Sequence, residues 1–221
     1  FRAKGNRVKR ILELLSSSNL TANEIAKKLG YDKPNGELYS DLNMMVNSAF
    51  INNIHKWDLK TSEFDERAPA YVITDPYLRF YYKAILPNKS KIERGRATLP
   101  KNLNSLLGLQ FEYVMRENMD LVYDALDINQ EDIINDAPYQ TKELQVDWLV
   151  ETQRHFHIIE LKFQAKPIDT DVVRDMDKKV TRIEVPVHKS VRTAIIHVNG
   201  AKPSVKESGI IDNCINLCDL L

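Results

Sequence analysis

Residues 145–163 constrain the fold most strongly, because they have the pattern of two β-strands joined by a short polar loop. Both ends of this segment are rich in Val, Ile, Trp and Phe, whereas residues 151–155 are mostly polar. Side chains alternate between the two faces of a strand, so Glu160 and Lys162 are expected on the same face. If the strands pair as a hairpin, Asp147 reaches the same patch from the neighbouring strand. The pattern therefore predicts two carboxylates and one ammonium group together on an otherwise apolar sheet.

These three side chains are the types that a metal-dependent hydrolase needs. Two adjacent carboxylates raise each other's pKa unless a cation lies between them. Mg²⁺, or Mn²⁺ in its place, prefers such oxygen ligands and keeps water molecules that it can activate. A lysine beside the metal can orient the attacking water or stabilise charge on a phosphate. Metal-assisted phosphodiester hydrolysis is one interpretation; the other is a structural hairpin in which Glu and Lys form a solvated face or a cross-strand pair.

Composition limits the class of protein. The 221 residues are 43% hydrophobic and 28% charged, which is ordinary for a globular protein with a buried core. No apolar run approaches the roughly 20 residues of a membrane-spanning helix, so we expect a cytoplasmic protein. The chain begins at Phe1, without Met or a signal-like segment, and we expect that an upstream part is missing. Cys214 and Cys218 are expected to be core thiols on one terminal helix.

Positive and negative charges are distributed unevenly, although the net charge is zero. Residues 1–96 contain 17 Lys and Arg against 11 Asp and Glu, whereas residues 97–221 contain 14 against 20. A basic first part and an acidic second part indicate two domains with different partners.

The first 75 residues have the pattern of a winged helix-turn-helix. The three predicted helices cover residues 6–16, 21–30 and 34–47, and the two predicted strands include residues 50–51 and 71–73. Thr21 and Glu24 form a capping box at the start of the second helix, which ends at Gly30. Pro34 suits the first turn of the third helix.

The third helix of such a module usually enters the DNA major groove. Its expected outward side chains are polar rather than basic: Asn35, Glu37, Tyr39, Ser40, Asp41 and Asn43, with Lys33 nearby. Few basic groups are therefore present to neutralise phosphates. The basic residues of the wing are offset by acidic ones, so both DNA binding and protein docking remain open for this module.

Further elements follow the winged helix. Asp75 caps a helix that has Pro76 in its first turn, and its aromatic residues are expected to pack a seam or, alternatively, to stack on bases. The basic residues 89–96 and Pro100 predict a linker. Helices are predicted over residues 102–126, 169–182 and 211–221, and a buried strand over residues 190–198. Three basic side chains of the helix at 169–182 are expected on its solvated face, with phosphate contact as the alternative: Lys178, Lys179 and Arg182.

The spacing of Asp147, twelve intervening residues and Glu160-x-Lys162 resembles the active-site signature of the PD-(D/E)XK nucleases. That family also has a Glu on the helix before the hairpin, and Glu112 stands at this position. Val146, not Pro, precedes Asp147. The resemblance implies that Asp147, Glu160 and Glu112 bind Mg²⁺ or Mn²⁺, and that Lys162 is the catalytic lysine.

The order of motifs over nearly the whole chain resembles the C-terminal half of a group of prokaryotic AAA-type ATPases. The motifs are the winged helix, residues 75–81 (DPYLRFY), Gly108-x-x-Phe111-Glu112 and the hairpin. In those proteins a P-loop domain precedes a winged helix and a PD-(D/E)XK-like domain. This chain contains no G-x-x-x-x-G-K-[ST] sequence, so the resemblance implies that ATP binds only to a preceding domain of the same polypeptide.

We therefore predict an α/β (α+β) chain with two domains. A winged helix-turn-helix covers residues 1–75, a connecting helix and basic linker cover 76–100, and a PD-(D/E)XK nuclease-like domain with a mixed sheet flanked by helices covers 101–221. One predicted function is a Mg²⁺-dependent DNA endonuclease. The other is a non-catalytic module that recognises DNA or a protein partner and regulates the ATPase domain. The Asp, Glu and Lys of the signature favour the first, and a group of acidic residues favours the second: Asp124, Asp127, Glu131, Asp132 and Asp136.

Overall fold

The computed structural model describes residues 2–96, 98–100 and 103–220, and it has the mixed α/β composition that the sequence predicts. The chain forms two compact units. The first contains Phe1–Lys56 and Phe64–Lys101, and the second contains Trp57–Glu63 and Asn102–Leu221. Within the described ranges, no helix has both the length and the apolar character needed to cross a membrane.

The first unit contains three helices followed by a β-hairpin, whose tip at Trp57–Glu63 belongs to the second unit. Its elements are α1 (Arg2–Leu15), β1 (Leu20–Thr21), α2 (Ala22–Leu29), α3 (Gly36–Asn47), β2 (Ile51–Asp58) and β3 (Glu63–Ile73). β1 pairs antiparallel with β3 in a three-stranded sheet of order β1-β3-β2. Apolar side chains of these elements form one core, which includes Ile11, Leu15, Ile25, Leu38, Leu42, Met45, Ile51 and Tyr71. All three predicted helices are present, and both strands are longer than predicted.

Helix capping explains where α2 and α3 begin. The capping box of Thr21 and Glu24 is confirmed, and α2 ends at Gly30 in the left-handed conformation with φ of 85°. The predicted start of α3 at Pro34 is wrong. The Asn35 side chain accepts a hydrogen bond from the Leu38 backbone N–H at 2.9 Å, so the helix begins at Gly36.

Asp41 is not an outward residue of α3, contrary to expectation. It is buried, and its Oδ2 accepts a hydrogen bond from Nε of Arg7 at 2.5 Å. The same guanidinium contacts Glu37 at 2.7 Å. The sequence pattern did not show this pairing, because Arg7 lies on a different helix.

Residues 76–93 are helical and belong to the first unit. They comprise α4 (Pro76–Phe80), a π-helical turn (Tyr81–Ile85), a 3₁₀ turn (Leu86–Asn88) and α5 (Lys89–Glu93). The predicted cap is confirmed, because the Asp75 side chain accepts a hydrogen bond from the Leu78 backbone N–H at 2.9 Å. Leu78 and Tyr82 pack against the core of the first unit, whereas Tyr77 is exposed.

The second unit is built around a five-stranded mixed sheet of order β4-β5-β6-β7-β8. Its helices and strands are α6 (Leu103–Arg116), α7 (Met119–Ala125), β4 (Ile133–Gln140), β5 (Gln145–Thr152), β6 (His155–Lys162), α8 (Thr170–Arg182), β7 (Ser190–His197), α9 (Pro203–Lys206) and β8 (Asn213–Asn216). β4, β5 and β6 pair antiparallel, whereas β6, β7 and β8 pair parallel. α8 is the crossover that a parallel β6–β7 pair requires. The predicted hairpin, the helix after it and the buried strand are confirmed.

Two predicted helices of this unit are wrong. Residues 102–126 do not form one helix, because Asn118 ends α6 by donating its side-chain amide to the Val114 carbonyl at 2.8 Å. Residues 211–220 contain β8 and a 3₁₀ turn rather than a helix, because Asn213–Asn216 pairs with β7 and forms an edge strand of the sheet. Cys214 and Cys218 therefore do not share a helix face. Both are free thiols, but Cys214 is half-buried and Cys218 is exposed, so the expectation of two core thiols is wrong. Strand β4 was not predicted.

A buried ion pair lies at the turn end of the β5–β6 hairpin. The Glu151 side chain is 0% exposed, and its Oε1 contacts Nζ of Lys189, which is 7% exposed, at 2.5 Å. Ser62, from the hairpin tip that belongs to this unit, donates to the same oxygen at 2.5 Å. Asn135 donates to Oε2 at 3.3 Å, and Lys189 also donates to the Thr152 carbonyl at 2.8 Å. Every charge of this pair is thus matched by polar partners, as burial requires.

Candidate active site

The β5–β6 hairpin brings Asp147 and Glu160 side by side. The strands are joined by a tight turn at residues 153–154, and their register pairs Trp148 with Ile159. Continued by one residue, this register sets Asp147 opposite Glu160. Neighbouring residues across an antiparallel pair are close enough for their charges to interact strongly.

Glu160 is held between two lysines. Its side chain is 4% exposed, and its Oε2 accepts a hydrogen bond from Nζ of Lys162 at 2.8 Å. Its Oε1 contacts Nζ of Lys179, which reaches the sheet from α8. Burial lowers the pKa of Lys162, but the charges of Glu160 and Asp147 outweigh this effect, so the pKa is raised. Lys162 therefore remains a cation at neutral pH.

Asp147 is buried beside this cluster. Its Oδ2 accepts a hydrogen bond from the Leu161 backbone N–H at 3.0 Å, which joins the carboxylate to strand β6. Burial raises the pKa of Asp147, and the charge of Glu160 raises it further. Both effects disfavour the ionised form of Asp147, and a cation bound beside it would favour that form.

Glu112 approaches the same place from α6. Its Oε2 lies 3.5 Å from Nη2 of Arg116, and the same guanidinium nitrogen donates to the Asp147 carbonyl at 3.3 Å. Burial and the charge of Asp147 raise the pKa of Glu112 to about 7. A carboxyl group that titrates near neutrality can accept or release a proton at physiological pH.

The four residues that the sequence singled out line one cavity of about 420 Å³. Its lining comprises Glu112, Glu143, Leu144, Gln145, Asp147, Glu160, Leu161, Lys162, Asp175, Lys178, Lys179 and Arg182. This lining contains five carboxylates and four cations. The cavity thus joins β5, β6, α6 and α8 in one charged site.

Sequence reasoning underestimated Lys179, which was expected on a solvated face. It lies three residues after the buried Met176, and this spacing places it toward the inward side of α8. The i, i+3 relation was the available signal. Lys178 and Arg182 are exposed, as expected, although both line the cavity.

His155 and His157 lie at the other end of β6, away from the charged cluster in sequence. Their rings stack edge to face with centroids 5.8 Å apart, and Nδ1 of His155 lies 2.7 Å from Oγ of Ser190. Burial, followed by the effect of His155, lowers the pKa of His157 to about 4. His157 is therefore neutral at physiological pH, and both residues have structural neighbours.

Titration of Glu112 makes the stability of the protein depend on pH. Its pKa rises from 4.5 to about 7 on folding, so the native state holds a proton that the unfolded chain has released between these values. The free energy of unfolding is therefore expected to fall as the pH rises through this range, by on the order of 3 kcal/mol for this group. Urea unfolding in EDTA at pH 5.5 and pH 8 measures the part of this loss that falls between the two pH values, about 2 kcal/mol.

The control is Glu112→Gln, which removes the titrating group. We expect this variant to lose less stability between the two pH values and to be more stable than the wild type at pH 8. An equal loss of stability in the variant and the wild type would contradict the assignment to Glu112.

Comparisons with known proteins provide little further information. No family model matches the chain. The uncharacterized protein MJECL04 of Methanocaldococcus jannaschii is 26% identical over 181 residues, which cover 80% of this chain and 35% of that protein. The crystal structure of protein VC1899 from Vibrio cholerae is similar with a TM-score of 0.38 and 11% identity, over 98% of this chain and 49% of that one. The chain thus spans about a third of the first protein and half of the second, and the structural likeness is too low to carry an argument.

Proposed function

We propose that the second unit is a PD-(D/E)XK-type nuclease domain that hydrolyses phosphodiester bonds of DNA with Mg²⁺ or Mn²⁺. One observation carries the proposal: Glu112, Asp147, Glu160 and Lys162, from α6, β5 and β6, line the same cavity. A mixed sheet with helices before, between and after its strands supports the same fold assignment.

The donor types fit a hard divalent cation. Five carboxylates line the cavity, among them the three proposed ligands, and the pKa of Asp147 and of Glu112 is raised by burial and by neighbouring negative charge. A divalent cation neutralises such charge and is usually bound by oxygen ligands. Within the described part of the chain, however, no group of three His, Cys, Asp or Glu side chains is arranged to hold a metal ion. Both oxygens of Glu160 contact lysines instead.

Each residue has a separate role in the proposed reaction. Asp147 and Glu160 would hold the cation, with Glu112 as an auxiliary ligand or as the group that orients water. The cation would polarise the phosphate and lower the pKa of bound water. Lys162 keeps its charge beside Glu160 and can stabilise the negative charge that develops on the phosphate. If Glu112 orients water rather than binding the cation, its carboxylate can take up the proton that the attacking water releases.

The first unit is proposed to be a winged helix that binds DNA or docks a protein. Three helices followed by a β-hairpin, with β1 completing the sheet, support this assignment. The resemblance to AAA-type ATPases extends the proposal to a preceding ATPase domain of the same polypeptide, where ATP would bind.

DNA hydrolysis tests the proposed activity directly. Supercoiled plasmid DNA is expected to be nicked or linearised in Mg²⁺ or Mn²⁺, and to remain intact in EDTA. Glu160→Ala is expected to abolish cleavage, because it removes a ligand at the centre of the cavity. Gel electrophoresis measures the products. The control Glu207→Gln changes an exposed glutamate outside the cavity and should cleave like the wild type.

The second candidate function is a non-catalytic module, and the lysine contacts to both Glu160 oxygens favour it. In that case the charged cavity would be a structural ion-pair cluster, and the chain would recognise DNA or a protein through its first unit. The plasmid would remain intact under all conditions. Glu160→Ala would then cost several kcal/mol of stability, as expected for breaking a structural ion-pair network.

A further inference from the structure

Both oxygens of the Glu160 carboxylate contact lysine ammonium groups. Lys162 contacts one oxygen and Lys179 contacts the other. Glu160 is 4% exposed, whereas the side chains of Lys179 and Lys162 are 18% and 31% exposed. A metal ion that binds Glu160 through Oε1 must therefore displace the ammonium group of Lys179.

The two lysines differ in how the backbone positions them. Lys162 lies two residues after Glu160 on β6, so the strand itself keeps both side chains on one face. Lys179 comes from the last turn of α8 and reaches Glu160 through a flexible four-carbon chain. Its ammonium group can move within the cavity without any change in the sheet.

Lys179 has two basic neighbours that can bind a phosphate group together with it. Lys178 and Arg182 line the same cavity and are exposed. Lys178 has only a surface contact with Asp175 at 3.2 Å, and Arg182 donates to the Glu143 carbonyl at 3.4 Å. Exposed contacts of this kind are weak and are readily exchanged for a phosphate. α8 therefore presents three cations to an anion that enters the cavity.

Formal charges indicate what Lys179 does to metal binding. With all carboxyls ionised, the charges of Glu112, Asp147 and Glu160 are balanced by Lys162, Lys179 and Arg116, which contacts Glu112. Without Lys179, the same group carries a net charge of −1 and attracts a cation more strongly. Lys179 thus competes with the metal for the same carboxylate oxygen and the same negative charge.

We propose that Lys179 is a built-in counter-ion that occupies Glu160 until a nucleic-acid phosphate draws its ammonium group away, so that the metal site becomes complete only when nucleic acid is bound. This inference rests on the proposed function. It makes Lys179 a positioning residue, which acts through Glu160. It also accounts for a cavity that has metal-type donors without an arrangement that holds a metal.

Mn²⁺ binding to the whole chain, without DNA, tests the competition. By isothermal titration calorimetry, Lys179→Met is expected to bind Mn²⁺ about tenfold or more tightly than the wild type, since a competing charge is removed. Arg174→Met is the matched control: it removes an exposed cation of the same helix that does not line the cavity, and its Mn²⁺ affinity should stay close to the wild type.

A double-mutant cycle in EDTA tests the exchange between Glu160 and phosphate. Glu160→Gln frees Lys179 and is expected to strengthen binding of a short DNA duplex about tenfold, measured by fluorescence anisotropy. In a Lys179→Met background most of this gain should disappear, because Glu160→Gln then frees Lys162 alone, whereas in an Arg174→Met background it should persist in full. A general loss of negative charge would give the same gain in both backgrounds and would overturn the proposal.

The outcomes separate this inference from the proposed function. If the wild type and Lys179→Met bind Mn²⁺ with equal affinity, the counter-ion role is wrong and the metal site remains. If neither of them binds Mn²⁺ at all, the metal-dependent function fails and the inference fails with it. If none of the variants binds the duplex, the coupling to nucleic acid is wrong.

Discussion

Lys189→Met is expected to lower the free energy of unfolding of the second unit by about 3–5 kcal/mol, because it leaves a buried carboxylate without its cation. Glu151 is 0% exposed and Lys189 is 7% exposed, so water cannot replace the lost ammonium group. Ser62 and Asn135 would still donate to Glu151, but neither carries a charge. The variant should also lose the cation–π contact of the lysine with the Phe156 ring, whose centroid lies 5.3 Å from Nζ.

Urea unfolding followed by circular dichroism measures this effect. Lys60→Met is the control, because Lys60 also forms an ion pair within the second unit, with Glu184 at 3.0 Å, but both partners are exposed. This control should leave the stability close to that of the wild type, because solvent screens an exposed pair. Adding Glu151→Gln to Lys189→Met should restore part of the loss, since the unpaired charge is then absent. Equal small effects of Lys189→Met and Lys60→Met would show that the buried pair does not stabilise the unit.

Asp147→Asn is expected to have opposite effects on activity and stability. If the proposed function is correct, the rate of DNA hydrolysis should fall about a thousandfold or more, because the metal loses a charged ligand worth several kcal/mol in the transition state. Stability at pH 8 should rise by roughly 1 kcal/mol, because a neutral amide is not repelled by Glu160. The amide oxygen can still accept the Leu161 backbone hydrogen bond that Asp147 accepts now.

Cleavage assays and urea unfolding of the same preparation measure both effects. Asp177→Asn, the same change at an exposed position of α8, is the control and should leave both quantities near the wild-type values. A loss of several kcal/mol in Asp147→Asn would identify Asp147 as part of a structural ion-pair network rather than as a strained ligand. Such a result would favour the non-catalytic function.

Local patterns predicted the elements whose signals are contained within a few residues. The alternation along residues 145–163 predicted the hairpin, and hence that Glu160 and Lys162 share a face. The capping residues Thr21 and Asp75 predicted where two helices begin. Glu112 was assigned only through the resemblance to a nuclease family, because nothing in its own neighbourhood distinguishes it from other helical glutamates.

Structural features that depend on residues distant in the sequence were not predicted. β4 has an irregular succession of polar and apolar residues, with register shifts in its pairing to β5, so its sequence lacks a clear strand period. Asn213–Asn216 is a strand because the edge of β7 offers unpaired hydrogen-bonding groups there. Asp41 is buried because Arg7 of another helix meets it. In each case a tertiary contact outweighs the local preference.

The amino-acid sequence by itself determined the starts of α2 and α4, the hairpin and the set of charged residues that this hairpin carries. These features follow from backbone periodicity and capping, which act over a few neighbouring residues. Only the tertiary structure decided that Lys179 contacts Glu160 and that Lys189 contacts Glu151, across 19 and 38 positions of the chain. The physical reason is that a buried carboxylate is stable only beside a cation. Packing of distant segments decides which cation lies there, and sequence spacing does not show this.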